Sequence, residues 1–280
     1  MSRLPWLNAL LLAAVLALGA LVYFGPAGEN PEEQQPISAI KPEGASSVRI
    51  ERAGAPLIVL AKKDGRWIIV EPISGRANET RVSQLIEVAA ARSANRVAAT
   101  DLQRFELDPP AAQLTFGGQT FSFGMVNALT REQYVMIGKS VYAVHPRYGA
   151  ALPASPYDLL SREVLGPAEL PQRIELKEFV VEQSGGKWKL TPPAERDPGQ
   201  DDLARWVDGW RGVSALRVEL YVGGKTRQDV RVRLKDGSEL AFGTLASGSN
   251  LVLTRPDEKL QYYFRIETAK RLLSRPTASP

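Results

Sequence analysis

A chain of 280 residues with 44% hydrophobic and 24% charged content is ordinary globular material, long enough for two domains. Its 35 Lys and Arg against 31 Asp and Glu leave a formal charge of only +4, and the charges are interspersed, so nucleic acid is not expected as a partner. The absence of cysteine excludes disulfides, thiolate metal ligands, a cysteine nucleophile and the lipidated cysteine of a lipoprotein.

Residues 1–6 carry Arg3 and lead into an apolar run, 7–24, broken only by Asn8 and bordered by Trp6 and Tyr23. At about 1.5 Å per residue the run and its flanks approach the roughly 30 Å of a hydrocarbon core, with aromatic residues at interfacial positions. A single membrane-spanning helix is expected. Arg3 precedes it, while Glu29, Glu32 and Glu33 follow before Lys41, so residues 1–6 belong in the cytoplasm and the rest outside. The alternative is a cleaved leader ending near Gly25-Pro26-Ala27, although the run exceeds the roughly 7–15 apolar residues usual for one.

Residues 25–45 carry Pro26, Pro31, Pro36 and Pro42 among glutamates and glutamines, with no apolar period, and read as an extended tether. Val48 and Ile50 then alternate with Arg49 and Glu51, and further strands follow at 57–60 and 67–70. Lys63-Asp64-Gly65 turns between them, and Pro72 ends the meander. Val82, Leu85, Ile86, Ala89 and Ala90 form one apolar helical stripe, with Thr80 as the expected N-cap. A connector through Phe105-Glu106-Leu107-Asp108-Pro109-Pro110 leads to short strands at 114–116, 121–123, 134–137 and 141–144, with Gly117-Gly118 as a hairpin turn. A short Leu-Leu helical turn closes the unit.

Much of this pattern then recurs. Gly65-Arg66-Trp67 returns as Gly186-Lys187-Trp188, Phe123-Gly124 as Phe242-Gly243, and Leu159-Leu160-Ser161-Arg162 as Leu272-Leu273-Ser274-Arg275, in the same order at nearly constant spacing. That regularity indicates a duplicated domain. At equal offset Thr80 becomes Asp201, and the stripe becomes Leu203, Trp206, Val207 and Trp210, so both helix tryptophans are expected in the core, as are the strand-opening Trp67 and Trp188. The expected fold class is α+β: two tandem homologous domains of antiparallel sheet plus helix, 46–165 and 171–275, with a hinge at 166–171 and a disordered tail at 276–280.

Catalytic chemistry is thinly represented. His145 is the only histidine, so no multi-histidine metal site is available, and no HExxH, P-loop, nucleophile elbow or strand-linked GxGxxG occurs. Asp101, Glu106 and Asp108 lack the spacing of a calcium loop, and Asp201-Asp202 is explained by helix capping. No catalytic, cofactor or metal residue is assigned, and no enzymatic activity is expected. One surface feature is sharper. Arg231, Arg233 and Lys235 alternate with Val230, Val232 and Leu234, after Lys225 and Arg227, and period-two geometry puts the three alternating cations on one strand face. This is either a docking face for anionic lipid headgroups, an acidic glycan or an acidic partner, or a solvated face whose cations guard an edge strand. Tyr134, Tyr142, Tyr262 and Tyr263 are candidates to line a groove between the copies.

The Gly-Arg/Lys-Trp strand, the proline after it, the amphipathic helix, the Phe105 to Pro110 box and Phe123-Gly124 ahead of Tyr134-Val135 resemble the domain-of-unknown-function family 4340. The resemblance covers most of 46–165 and, more faintly, 171–275. The family has glycine after the Phe of the box where this chain has Glu106, and the second copy lacks the Pro-Pro pair. The resemblance implies a bacterial inner-membrane protein, single-pass, with its domains in the periplasm and an accessory role beside ABC-type transport or gliding-motility-like systems. It carries over no catalytic residue. The expected function is therefore non-enzymatic: an accessory or scaffold subunit docked onto other envelope membrane proteins, such as ABC-type transporter subunits, and held to the bilayer by residues 7–24. The alternative is a periplasmic binding module for an envelope glycan or lipid.

Overall fold

Alternating apolar and polar residues lay down two antiparallel sheets, each with a helix across one face. The computed structural model describes residues 14–15, 34–194, 196–223, 227–247 and 250–278, except the side chains of 227, 228, 246 and 247. In chain order the first half holds β1 (Gln35–Pro36), β2 (Ser47–Arg52), β3 (Ile58–Lys63), β4 (Arg66–Glu71), β5 (Gly75–Arg76), helix α1 (Glu79–Ile86), β6 (Arg92–Ser93), β7 (Arg96–Ala98), β8 (Ala112–Phe116), β9 (Gln119–Val126), β10 (Gln133–Ile137), β11 (Ser140–Val144) and the short α2 (Arg147–Ala150). The second half holds β12 (Pro171–Leu176), β13 (Val180–Ser184), β14 (Lys187–Thr191), helix α3 (Gln200–Gly212), β15 (Arg217–Leu220), β16 (Arg227–Leu234), β17 (Glu239–Ser247), β18 (Asn250–Arg255), β19 (Leu260–Arg265) and α4 (Ile266–Leu273).

The first sheet runs β5-β4-β3-β2-β8-β9-β10-β11-β7, and the second runs β14-β13-β12-β16-β17-β18-β19-β15. From β4 to β7 the first order is repeated strand for strand by the second. The architecture is α+β and largely sheet. In each half the chain leaves the first meander, crosses by helix and adds a short strand at the far edge before the second meander forms. Those far-edge strands, β7 and β15, fall where the sequence suggests only connectors. β7 is exposed at all three positions, so it carries no alternation to read.

Val48, Ile50, Leu60, Trp67 and Ile69 face α1, which buries Val82, Leu85 and Ile86; in the second half Ile174, Val181, Val230, Val232 and Phe242 face Leu203, Val207 and Trp210. One apolar cluster runs through both halves, and each fully buried large side chain stabilises it by about 1.5–3 kcal/mol. Trp67 and Trp210 are core, as expected, whereas Trp188 and Trp206 are only half-buried at its margin.

The helix starts differ from expectation. The caps are Asn78 and Gly199, each two residues before Thr80 and Asp201. Asn78 Oδ1 accepts the Arg81 N–H at 3.0 Å, and the Asp202 carboxylate accepts the Gly199 N–H at 3.1 Å. The first residue of each helix is held by the neighbouring strand: the Trp67 N–H donates to Glu79 Oε1 at 2.9 Å, and the Trp188 N–H to Gln200 Oε1 at 2.7 Å. After Ile86 the first helix tightens into a 3-10 turn, Glu87–Ala90, which rotates Val88 into the core and leaves Ala90 exposed.

Residues 25–45 are not an extended tether throughout. From Gln34 the segment packs on the first sheet: β1 pairs with β6, the Ile37 N–H donates to the Ala91 carbonyl at 3.1 Å, and Ile37 and Ala45 are buried. The tail begins ordered, with Pro276 buried. Apart from the helical residues 14–15, the apolar run 7–24 lies outside the described residues. Among the described residues no helix is long and apolar enough to cross a membrane.

Candidate functional site at the junction of the sheets

Arg76, at the end of β5, reaches from the first sheet to the second. Its Nε donates to Glu258 Oε1 at 2.6 Å, and its Nη2 donates to the Glu163 carbonyl at 2.8 Å and the Tyr262 hydroxyl at 3.2 Å. Tyr262 then donates to Glu258 Oε2 at 2.7 Å. Arg255, at the end of β18 and only 2% exposed, donates to the Val164 carbonyl at 2.6 Å and to both Glu169 oxygens at 2.7 and 2.5 Å. Asp257 flanks it at 3.1 Å. The Gly166 N–H donates to Glu169 at 2.5 Å, and the Leu170 carbonyl accepts the Lys235 N–H at 2.9 Å. The segment expected to be a hinge is therefore pinned. Just before it, two guanidiniums capture the Glu163 and Val164 carbonyls, and Val164 and Leu165 are buried beneath them.

The electrostatics follow from this geometry. Burial lowers the Arg76 pKa, but the hydrogen bond and charge of Glu258 outweigh it, so the net direction is up. Burial likewise opposes the charged form of Arg255, and Glu169, Glu258 and Asp257 reverse it to a strongly raised value. Burial alone would raise the Glu169 carboxyl, yet Arg255 and the Gly166 N–H bring it below the usual carboxylate range. Burial, then Glu258, push the Tyr262 phenol well above its ordinary value. All four shifts favour the charge states that bind one another, so the cluster ties the two sheets together. Of these residues the sequence singles out Tyr262 alone, and as a groove-lining side chain and not as part of a junction.

The basic strand face resolves into something narrower than expected. Lys225 lies outside the described residues, and only the backbone of Arg227 is described. Arg231 and Arg233 do share an exposed face, with Val230, Val232 and Leu234 buried behind them. Lys235 lies past the end of β16 and instead borders a small cavity with Asp208 and Arg211 on the helix side. β16 is not an edge strand, since it pairs with β12 and β17, so edge protection does not explain its cations. Glu175 stands opposite Arg231, and Arg173 and Glu239 stand opposite Arg233. Arg233 pairs with Glu239 at 3.2 Å, and Arg173 with Glu175 at 3.0 Å and Glu182 at 2.7 Å. The face is a lattice of alternating sign in which Arg173, Arg231 and Arg233 are matched by Glu175, Glu182 and Glu239.

The tyrosines do not converge. Tyr262 and Tyr263 are buried, the latter with its hydroxyl donating to Glu219 at 2.9 Å. Tyr134 packs on Phe105, and Tyr142 lies under Arg96. His145 caps its own turn, its Nδ1 accepting the Arg147 N–H at 3.1 Å. Among the described residues no group of three or more His, Asp or Glu is placed to hold a metal ion. The Phe105 to Pro110 box and Phe123-Gly124 are one packing unit: a Cβ at Gly124 would sit 2.2 Å from the Phe105 carbonyl oxygen and 2.9 Å from Leu107 Cγ. Glu106 keeps the tight turn that glycine would make, with φ of 53°.

The family model described as Domain of unknown function (DUF4340) matches residues 67–231, more than half of the chain, in one stretch that runs from β4 of the first sheet across the junction to β16 of the second. No curated protein and no solved structure matches the chain significantly.

Proposed function

Because the chain belongs to the DUF4340 family, in which the matched stretch spans both sheets, we propose that it works as a two-sheet scaffold rather than as two independent modules. In this reading it is a non-enzymatic, single-pass protein of a bacterial inner membrane. Two tandem copies of one α+β unit stand in the periplasm and serve an envelope complex such as an ABC-type transporter. The observation that carries it is the junction: Arg76 and Arg255 lock two sheets of the same strand order into one body, as a rigid spacer between a membrane and a partner requires. Residues 7–24 would supply the anchor.

The docking face proposed here is the lattice around Arg231 and Arg233. Its alternating signs suit a protein partner with a complementary pattern better than an anionic membrane, which asks for a field of one sign. The test is crosslinking of the full-length protein in native membranes, with mass spectrometry of what is recovered. One membrane complex in fixed stoichiometry is expected, with recovery reduced about tenfold by Arg231→Glu with Arg233→Glu in a normally folded protein. Recovery of the protein alone would refute the scaffold reading; undiminished recovery by the double variant would refute the face.

A further inference from the structure

Helix α3 carries Gly209 and Gly212 inside its last turns, where glycine is the weakest helix former after proline. Counted from the caps Asn78 and Gly199, the same positions in the first half hold Val88 and Ala91, both fully buried. There a 3-10 turn carries them into the core, whereas in the second half the helix continues and leaves Gly209 and Gly212 on its exposed side. A Cβ at Gly209 would meet only Leu272 Cδ2, at 3.9 Å, and one at Gly212 would meet nothing within 4 Å. The room they leave is a cavity of about 740 Å³ between α3, α4 and the chain that follows.

The cavity has two chemically different parts. Trp206, Val213, Leu272 and Pro276 give it an apolar floor, and the Trp206 indole N–H is already bonded to the Ser274 carbonyl at 3.1 Å. Arg205, Lys270, Arg271 and Arg275 stand around it against the single carboxylate of Asp202. Arg205 pairs with Asp202 at 3.2 Å, and Arg275 donates to the Pro192 carbonyl. Lys270 and Arg271 are exposed on the last turns of α4, and no ion pair engages either one among the described residues.

We propose that this cavity binds an anionic amphiphile with a single acyl chain. The chain lies against Trp206 and Leu272, and a carboxylate or phosphate head lies against Lys270 and Arg271. The volume falls within the roughly 300–1,000 Å³ of small-molecule sites. Guanidinium and ammonium groups complement such a head in charge and hydrogen bonding. The walls favour an acyl chain over a peptide. Two of them are helices, which offer no strand edge, and a peptide laid across the apolar floor would leave many of its own N–H and C=O groups unpaired. An acyl chain has no such groups. This inference does not depend on the scaffold reading.

The test uses full-length protein in phosphatidylcholine nanodiscs and a palmitate bearing a photoactivatable diazirine, with labelled peptides mapped by mass spectrometry. Label is expected within 200–213 and 266–277, competed by unlabelled palmitate if the source is a free fatty acid and by lysophosphatidylglycerol if it is a phospholipid. The methyl ester of the probe should label this site at least about tenfold less. Gly209→Met with Gly212→Met should abolish the label without lowering the unfolding temperature, because methionine fills the room and favours helix. Lys270→Gln with Arg271→Gln should weaken acid labelling about tenfold and leave ester labelling unchanged. Label confined to other segments, equal labelling by acid and ester, label persisting in the filled variant, or equal competition by an acidic leucine-bearing peptide would each overturn the proposal.

Discussion

Replacing Arg255 with methionine tests whether the junction is a lock. The variant keeps an aliphatic stem of similar length but removes the donors to the Val164 carbonyl, Glu169 and Asp257. Glu169 would then retain only the Gly166 N–H. Breaking a buried ion pair from one side costs about 3–5 kcal/mol. Glu169 is 22% exposed and Asp257 47%, so water screens part of what is left, and the lower end, about 3 kcal/mol, is expected. In a body of this size that lowers the unfolding temperature by about 6–12 °C, measurable by calorimetry on the full-length protein. Combining it with Glu169→Gln should recover about 2 kcal/mol of the summed losses, since the two groups share one interaction. The pH dependence has a definite sign. The folded pKa of Glu169 is depressed, so its contribution is complete above the unfolded value of about 4.3 and is lost as pH falls through the folded value. Without Arg255 the larger part of that contribution is lost, leaving the Gly166 N–H and the Arg76 charge, so the gap between wild type and variant should narrow below about pH 4. A drop of less than about 2 °C at neutral pH, or a gap that ignores pH down to 3, would refute the lock.

Three further outcomes follow from local geometry. Glu79→Gln should be nearly neutral, because Gln200 makes the same bond to Trp188 in the second half, whereas Glu79→Ala should cost about 1–2 kcal/mol by orphaning the Trp67 N–H; denaturant midpoints distinguish them. Gly124→Ala should destabilise by about 3 kcal/mol or more, because the added Cβ meets the Phe105 carbonyl at 2.2 Å, and a loss below about 1 kcal/mol would show that the box can retreat. Glu106→Gly should stabilise by about 0.5–1 kcal/mol by relieving a left-handed residue in an exposed turn; no gain would mean that the glutamate side chain contributes there.

Most of the strands and helices α1 and α3 were legible because each buries one face, whereas the eight residues of α4 read only as a short Leu-Leu turn. Val48 and Ile50, or Val230 and Val232, announce a strand by alternation, and Val82, Leu85 and Ile86 announce a helix by their spacing. What escaped is short or has no such face. β7 and β15 complete the sheets by backbone pairing; β7 buries nothing, and β15 buries Val218 in a strand of four residues. The caps were misplaced by two residues because Thr80 and Asp201 are good capping types, while the actual start is set by Glu79 and Gln200 bonding to strand residues far along the chain. Gly199 offers no side-chain signal at all.

The candidate sites were harder to read for a reason that period-two patterning cannot remove. Alternation along β16 assigns Arg231 and Arg233 to a face, but the potential of that face depends on the strands alongside it. Glu175, Glu182 and Glu239 arrive from β12, β13 and β17, and their approach cancels a field that one strand alone suggests. The junction is the converse case. Arg76, Glu169, Arg255 and Glu258 are unremarkable interspersed charges until Val164, Leu165 and Leu260 exclude water around them. One trace of this was present in the sequence: Arg255 continues the parity of Leu251 and Leu253, a cation on the alternation of aliphatic residues, which predicts either a strand end or a buried partner. Here both hold, since β18 ends at Arg255 and Glu169 receives it. Charge in this protein gains its role from strand order, and strand order is what the two halves share.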